Sequence, residues 1–243
     1  MLRTQVPHRS QLNHDIGRIL CAARWLTWEK TSFEFRRLGV VMESIVVWSL
    51  IGFLAGSILF GYWAGKLLLK TDIRQYGDGN PGGYNAWKAG GWSVGLLASL
   101  LDVLKGFLPV FLARGAGVSG WGLVPVALAP VLGHAFSPFL NFRGGKAIAA
   151  TLGVWTALTG IEGLLAFAVF ALLVLAFQAE DALSALAGMF GLPIWIWLSG
   201  GPPWYFAIWM GNLLILAWKH RLELRHPLQP RPWAVNLFRR GEK

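Results

Sequence analysis

The sequence predicts an all-α fold, a polytopic integral membrane helix bundle of about seven transmembrane helices. Three observations predict it. Of 243 residues, 55% are hydrophobic and only 14% are charged, against roughly 25% charged in soluble domains. The apolar residues fall into long runs separated by short polar loops. The 14 Trp and 30 Gly suit interfacial rings and closely packed helices. A net charge of +10 in a soluble protein would suggest nucleic acid. Here the bases cluster between apolar runs, so orientation and anionic headgroups account for them and membrane lipids, not nucleic acid, are the expected surroundings. Cys21 is the single cysteine, so neither a disulfide framework nor a cysteine zinc site is expected.

Seven runs are candidates for crossing the bilayer: Ser44–Leu69, Trp92–Ala113, Trp121–Leu140, Ile148–Leu158, Leu164–Phe177, Leu183–Leu198 and Trp204–Trp218. A full span takes about 20 residues. The first three reach it. The last four are short, as tilted or partly re-entrant helices are, and five spans are the minimum. Bases between the runs set the sides by the positive-inside rule. Lys70, Arg74 and Lys88 fall in one loop, Arg143 and Lys146 in another, and Lys219, Arg221, Arg225, Arg231, Arg239, Arg240 and Lys243 in the tail. The intervening turns hold one base, Arg114. Alternation therefore puts these loops on the cytoplasmic side.

Residues 1–41 break the pattern. They carry Arg3, Arg9, Arg18, Arg24, Lys30, Arg36 and Arg37 against Asp15, Glu29 and Glu34, yet seven spans would place them outside. They lack a secretory apolar core and cleavage site. Two readings stand: an upstream extension with the true start at Met42, or an amphipathic surface segment. The expected organisation is a basic extension 1–41, a membrane domain 42–226 and a basic cytoplasmic tail 227–243.

The informative polar residues gather on the cytoplasmic side. The loop "GDGN" places Gly77, Asp78, Gly79 and Asn80 before Gly82, Gly83 and Asn85, with Arg74 and Lys88 flanking. Glycines reach backbone angles that let successive N–H groups converge on an anion. A second loop, "FRGGK", gives Arg143, Gly144, Gly145 and Lys146 at the opening of a helix, a pattern suited to phosphate. A third stretch, "KHRLE", brings Lys219, His220, Arg221 and Glu223. Two glycine nests, several cations and a histidine suggest an oxyanionic substrate at the inner leaflet, most simply a phosphate. Each piece also has a plainer reading. A glycine-rich loop is often only a turn, and a basic cluster often only faces headgroups. His134 is polar inside an apolar stretch, where ionisable groups usually face the protein interior; packing and function are both open to it. Asp102 and Lys105 share a helix face at i, i+3 and neutralise one another as a structural pair.

In order and spacing, four stretches resemble the bacterial membrane-integral acyl-phosphate:glycerol-3-phosphate acyltransferase family. They are "AGSILFGYWAGKLLLKTDIRQYGDGNPGGYNAW", "LLDVLKG", "LGHAFSPFLNFRGGKAIAATLGV" and "KHR", spread over nearly all of residues 44–226. The resemblance implies a seven-helix enzyme of the bacterial inner membrane with a cytoplasmic active site. It implies acyl transfer from acyl phosphate to the 1-hydroxyl of glycerol 3-phosphate, giving lysophosphatidic acid without a cofactor or metal. It implies catalytic roles for His220, Asp78 and Lys146. Substrate binding would fall to Gly77, Gly79, Asn80, Gly82, Asn85, Lys88, His134, Gly144, Gly145, Ser184, Arg221 and Glu223.

The chain departs from the family pattern at several of these positions. The family usually has Ser at Asp78, Thr at Tyr84, Arg at Lys88, Gly at Ala147, Thr at Ala150 and Asn at Glu223. Leu59 stands where a Pro is usual, and a serine-rich motif is reduced to Ser184. Asp78 and Glu223 put carboxylates at a site expected to take a dianion. Lys88 keeps charge but loses the bidentate guanidinium fork. Two alternatives follow: an acyltransferase for a different acceptor, or a non-catalytic lipid-binding membrane protein on the same fold.

Overall fold

The computed structural model describes residues 39–234; the expectations for residues 1–38 and 235–243 lie outside the described residues. Contacts divide the chain at Glu43. The first unit is described only over residues 39–43, the opening of a helix, and the second unit, Ser44–Lys243, holds the bundle. The helices in chain order are α1 (Gly39–Ser57), α2 (Phe60–Leu68), α3 (Gly83–Gly115), α4 (Leu123–Ala135), α5 (Ile148–Thr159), α6 (Ile161–Phe177), α7 (Asp181–Leu198) and α8 (Pro203–His220). Among the described residues there is no strand; Gln178 and Pro230 make one isolated antiparallel bridge. Gly39–Ser57, Gly83–Gly115, Gly120–Leu140 and Asp181–Leu198 are long and apolar enough to cross a membrane, while Ile148–Thr159 and Ile161–Phe177 are shorter. The membrane helix bundle is therefore as the sequence predicts, and seven remains the count read from sequence.

The first predicted span, Ser44–Leu69, is corrected to two helices. Leu59 is extended (φ −88°, ψ 100°) between α1 and α2. Such a break between apolar helices, buried in the bundle, exposes backbone groups that must find partners inside the protein. They do. Ser137 Oγ donates to Ser57 O at 2.7 Å, Lys105 Nζ to Ile58 O at 2.5 Å, and the Phe60 N–H to Asp102 Oδ1 at 3.3 Å. Lys105 and Asp102 are 2.7 Å apart and almost wholly buried. The intramembrane ion pair thus supplies one donor and one acceptor to a broken helix.

The second predicted span starts at Trp92, and the structure gives the reason. Gly91 takes φ 81°, ψ 175° inside α3, a conformation that a side chain would resist. The chain folds back there, so that Gly83 faces Ser99 and Gly95 faces the Trp87 side chain. Elsewhere glycines let helix backbones touch: Gly153 meets the Val103 carbonyl (α5 on α3), Gly191 that of Ala166 (α7 on α6), and Gly133 that of Phe53 (α4 on α1). Without a hydrophobic drive between helices in lipid, this close packing carries much of the association. The core, with Val126, Val131, Trp155, Met189, Ile208 and Leu216, lies among α4, α5, α7 and α8. Leu50, Leu100 and Leu172 remain exposed, as lipid-facing residues of α1, α3 and α6 would be. At the far end of α5 from the lysine loop, Tyr205 donates to Leu158 O at 2.8 Å and Arg114 donates to the Ala157 and Leu158 carbonyls.

Candidate active site

Three connections converge at one end of the bundle. The loop between α2 and α3 turns twice through left-handed glycines, Gly77 (φ 58°) and Gly79 (φ 75°). At its start Asp72 caps a short turn and holds the Arg74 guanidinium at 2.6 Å. At its centre Asp78 Oδ1 accepts from the Asn80 N–H at 3.1 Å and from Asn85 Nδ2 at 2.8 Å. Asn85 Nδ2 also donates to Asn80 O at 2.8 Å. The Asn80 N–H of the nest is occupied by the chain's own carboxylate. Asn85, buried to 1% exposure, staples the loop through Nδ2, while its Oδ1 has no partner among the described residues.

The loop between α4 and α5 is equally tied down. The Gly145 N–H donates to His134 O at 2.9 Å, so it too is spent within the protein. Lys219 Nζ donates to Ala135 O and Gly144 O, each at 2.9 Å. That lysine joins the end of α8 to this loop. Ala147 caps α5 in the left-handed region at φ 64°. This geometry directs Lys146 away from the helix and toward the α2–α3 loop.

Lys146 Nζ lies 2.6 Å from Asp78 Oδ2 and 2.9 Å from Glu223 Oε1. Glu223 uses its other oxygen on His220, with Nδ1 2.6 Å from Oε2. The result is a continuous row, Asp78–Lys146–Glu223–His220, drawn from all three connections. With Nδ1 donating to that carboxylate, the neutral ring carries its lone pair on Nε2. Nε2 is buried and has no hydrogen-bond partner among the described residues. Burial pushes the Asp78 carboxyl up, but its bond to Lys146 and that charge outweigh it and hold it below its ordinary value. Burial pulls the Lys146 ammonium down, and the bonds from Asp78 and Glu223 outweigh it and raise it. The central pair is thus ionised across the physiological range.

Two cavities flank this row. The larger, about 720 Å³, is lined by five basic and three acidic residues, with Arg74, Arg143, Lys146, Lys219 and Arg221 on its walls. Arg143 and Arg221 have no carboxylate partner among the described residues. Arg221 donates to Trp218 O at 2.7 Å and lies over the Trp218 ring. The smaller, about 350 Å³, runs past Gly82, Ser99 and His134 to Val103, Ile148 and Leu152, with His220 on its wall. Asp78, Asn80 and Lys146 line both. An apolar groove of about 520 Å³ lies apart, between α2 and α3 near Trp63, Leu67, Leu97 and Leu101.

Of the expected binding residues, Gly79, Asn80, Gly82, His134, Gly144, Arg221 and Glu223 line one cavity or the other. Gly77, Asn85, Lys88, Gly145 and Ser184 line neither. Lys88 instead sits over the Tyr84 ring at 4.6 Å. Ser184 is buried in α7 with its hydroxyl unpartnered among the described residues. His134 is buried beside the Asp102–Lys105 pair, its Nδ1 3.9 Å from Asp102 Oδ1. Sequence reasoning missed Asp72 and Asp181 and gave Asp102 a structural role alone; all three line the cavities. The pairing of Asp72 with Arg74 two residues on was the available signal. No group of three His, Cys, Asp or Glu able to hold a metal occurs among the described residues.

Known proteins resemble this chain along most of its length. The sequence model of a family described as glycerol-3-phosphate acyltransferase matches residues 46–229. Glycerol-3-phosphate acyltransferase 1 of Thermotoga maritima is 39% identical over 194 residues, 74% of this chain and 95% of its own. The glycerol-3-phosphate acyltransferase of Synechococcus sp. (strain CC9902) is 34% identical over 189 residues, 78% of this chain and 94% of its own. The crystal structure of PlsY, an integral membrane glycerol 3-phosphate acyltransferase, in its glycerol 3-phosphate form superimposes with TM-score 0.68 and 31% identity. The match covers 74% of this chain and 90% of that one. Its lysophosphatidic acid form gives 0.67 and 30%.

Proposed function

The chain belongs to the glycerol-3-phosphate acyltransferase family, and on that premise we propose that it transfers a fatty acyl chain from acyl phosphate to the 1-hydroxyl of glycerol 3-phosphate. The product is lysophosphatidic acid, an entry to phospholipid synthesis. The observation that carries this reading is the pair of cavities meeting at Asp78, Asn80 and Lys146. One is basic and polar, suited to a small phosphorylated acceptor. The other passes from the same residues to apolar helix faces, suited to a donor whose chain lies in the bilayer.

Acyl phosphate is already activated, and phosphate is a good leaving group. The protein's work is to bring two anionic substrates together and to stabilise developing charge, which is positioning and electrostatics. Arg143 and Arg221 would hold the acceptor phosphate. Lys146, at the junction, would stabilise charge on the departing phosphate. His220 would face the acceptor hydroxyl. No metal or cofactor enters this scheme. The membrane is the bacterial inner membrane and the site faces the cytoplasm, a reading supported by the bases that flank the site in sequence.

A second reading has its own support. Both carboxylates that depart from the family pattern, Asp78 and Glu223, close on Lys146. That neutralisation favours an acceptor carrying less negative charge, such as a neutral polyol. The test is turnover by the purified protein in detergent with palmitoyl phosphate and glycerol 3-phosphate. Formation of lysophosphatidic acid and phosphate, lost in Lys146→Ala, supports the first reading. Phosphate release without that product supports the second.

A further inference from the structure

We propose that the groove beneath the segment after α8 is a binding site for an anionic membrane phospholipid, with one acyl chain between α6 and α7 and the headgroup phosphate on Arg231. The groove is separate from the two cavities of the candidate active site. The inference needs only the membrane setting and holds whichever acceptor the enzyme uses.

The segment after α8 is a strap. Pro227, Pro230 and Pro232 fix φ and keep it out of a helix. It crosses the turn between α6 and α7, where Gln178 and Pro230 form the isolated antiparallel bridge. The Val174 carbonyl takes the Gln178 N–H, so the carbonyls of Leu175, Ala176 and Phe177 are left without helical partners. The strap supplies a donor to each. Arg231 Nε donates to Leu175 O at 2.8 Å, Trp233 Nε1 to Ala176 O at 3.1 Å and the Arg231 N–H to Phe177 O at 2.9 Å. The Trp233 and Phe177 rings meet at 4.9 Å between centroids. Arg231 is thereby fixed at the end of α6, its guanidinium bonded through Nε.

The groove beside this strap measures about 590 Å³, the size of a small-molecule site. Val174 and Phe177 form one wall, Leu183, Leu186 and Phe190 the other, and Leu228 of the strap its rim; no charged residue lines it. Phe177, Phe190 and Leu228 are exposed, as are Leu173 on α6 and Ile194 on α7, so the groove opens onto a lipid-facing surface. An exposed apolar patch of this kind marks a place for a ligand or a membrane.

Charge selects the lipid. Arg231 has no carboxylate partner among the described residues, and neither has Arg225, exposed on the short turn Glu223–Arg225 that packs on α7. The acids of the α6–α7 turn are engaged elsewhere. Glu180 lies 3.6 Å from His226, and Asp181 lines the smaller cavity. Asp181 also puts this turn at the same end of the bundle as the candidate active site, the end that carries the bases. An apolar slot with a free guanidinium at its mouth suits a long chain bearing a phosphodiester. A zwitterionic headgroup brings its own cation and gains less. A lipid held there ties the strap to the turn that carries Asp181 into the wall of the smaller cavity.

The experiment is native mass spectrometry of the full-length protein in detergent, titrated with dioleoyl phosphatidylglycerol against dioleoyl phosphatidylcholine. Wild type is expected to retain one phosphatidylglycerol with a preference of about fivefold or more, the gain from one guanidinium near the anion. Arg231→Gln should bring the preference close to parity, and Arg231→Lys should keep it. Ala187→Trp, which fills the groove, should abolish retention of both lipids. Phosphatidylglycerol should also raise the Tm of wild type by mass action, and that of Arg231→Gln much less. Equal retention of the two lipids by wild type overturns the proposal without recourse to any variant. So does an undiminished preference in Arg231→Gln. Displacement of phosphatidylglycerol by an equal concentration of lysophosphatidic acid would give the groove to a single-chain phosphomonoester and overturn the assignment to a resident phospholipid.

Discussion

Lys146 Nζ stands 2.6 Å from the Asp78 carboxylate, so the lysine expected to meet substrate already has an anion of its own. Asp78 also accepts the Asn80 N–H that a nest would offer to a ligand. Like charges at about 4 Å repel by roughly 1 to 4 kcal/mol between effective dielectrics of 80 and 20. Asp78→Ser keeps an acceptor for the Asn80 turn and removes that repulsion. It should lower KM for glycerol 3-phosphate about fivefold or more, with the gain shrinking as salt is added. Initial-rate kinetics at low and high ionic strength would check it. An unchanged or raised KM would place the acceptor phosphate away from Asp78.

The same pair makes stability pH-dependent. The folded Asp78 carboxyl titrates below its ordinary 3.8, so the unfolded chain binds the proton more readily. Its contribution is present above about pH 4 and is lost as pH falls through the folded value. Lys146 titrates above 10.5 in the folded chain, so its contribution is present below that pH and is lost as pH rises past it. Thermal unfolding in detergent from pH 3 to 6 should show the acid loss, and Asp78→Asn should flatten it.

Ala147 holds a left-handed conformation, φ 64°. For a residue with a side chain this costs about 1–2 kcal/mol, offset in part by the greater freedom of glycine in the unfolded chain. Ala147→Gly should therefore stabilise the protein by about 1 kcal/mol or slightly less, with kcat unchanged. A thermal-shift series measures it. A destabilised variant would mean that the buried methyl contributes more than the backbone strain costs.

The Asp102–Lys105 pair is assigned to structure. Asp102→Ala leaves an ammonium buried and the Phe60 N–H without its partner. A loss of about 3–5 kcal/mol is expected. The fraction that remains folded should keep its KM for glycerol 3-phosphate, since Asp102 lines only the smaller cavity. A changed KM in well-folded protein would move the pair into the site.

How much was legible in sequence follows from these contacts. Apolar runs and interposed bases were enough to read a membrane bundle, and the limb after Gly91 starts at Trp92 as the run does. The α1–α2 break was hidden, because Leu59 is as apolar as its neighbours and the irregular backbone around it is satisfied from 42 to 80 residues away. The three site stretches were read correctly as one polar end. The bonds inside them were not legible: Asn85 Nδ2, Lys219 and the Gly145 N–H each tie the loops together. A motif names residue types at a spacing and is silent about which neighbour claims each donor first. Glu223 was read as a substrate contact, and only geometry joins it to His220 and Lys146 at once.

The most direct test of the central claim is acceptor choice: kcat/KM for glycerol 3-phosphate against glycerol, at saturating palmitoyl phosphate. Arg143 and Arg221 line the larger cavity without carboxylate partners among the described residues. The account predicts a preference for glycerol 3-phosphate of about 10²-fold or more, since those groups go unpaired with glycerol. Equal or better use of glycerol, with little lysophosphatidic acid formed, would contradict it. That result would mean that Asp78 and Glu223 have changed the substrate.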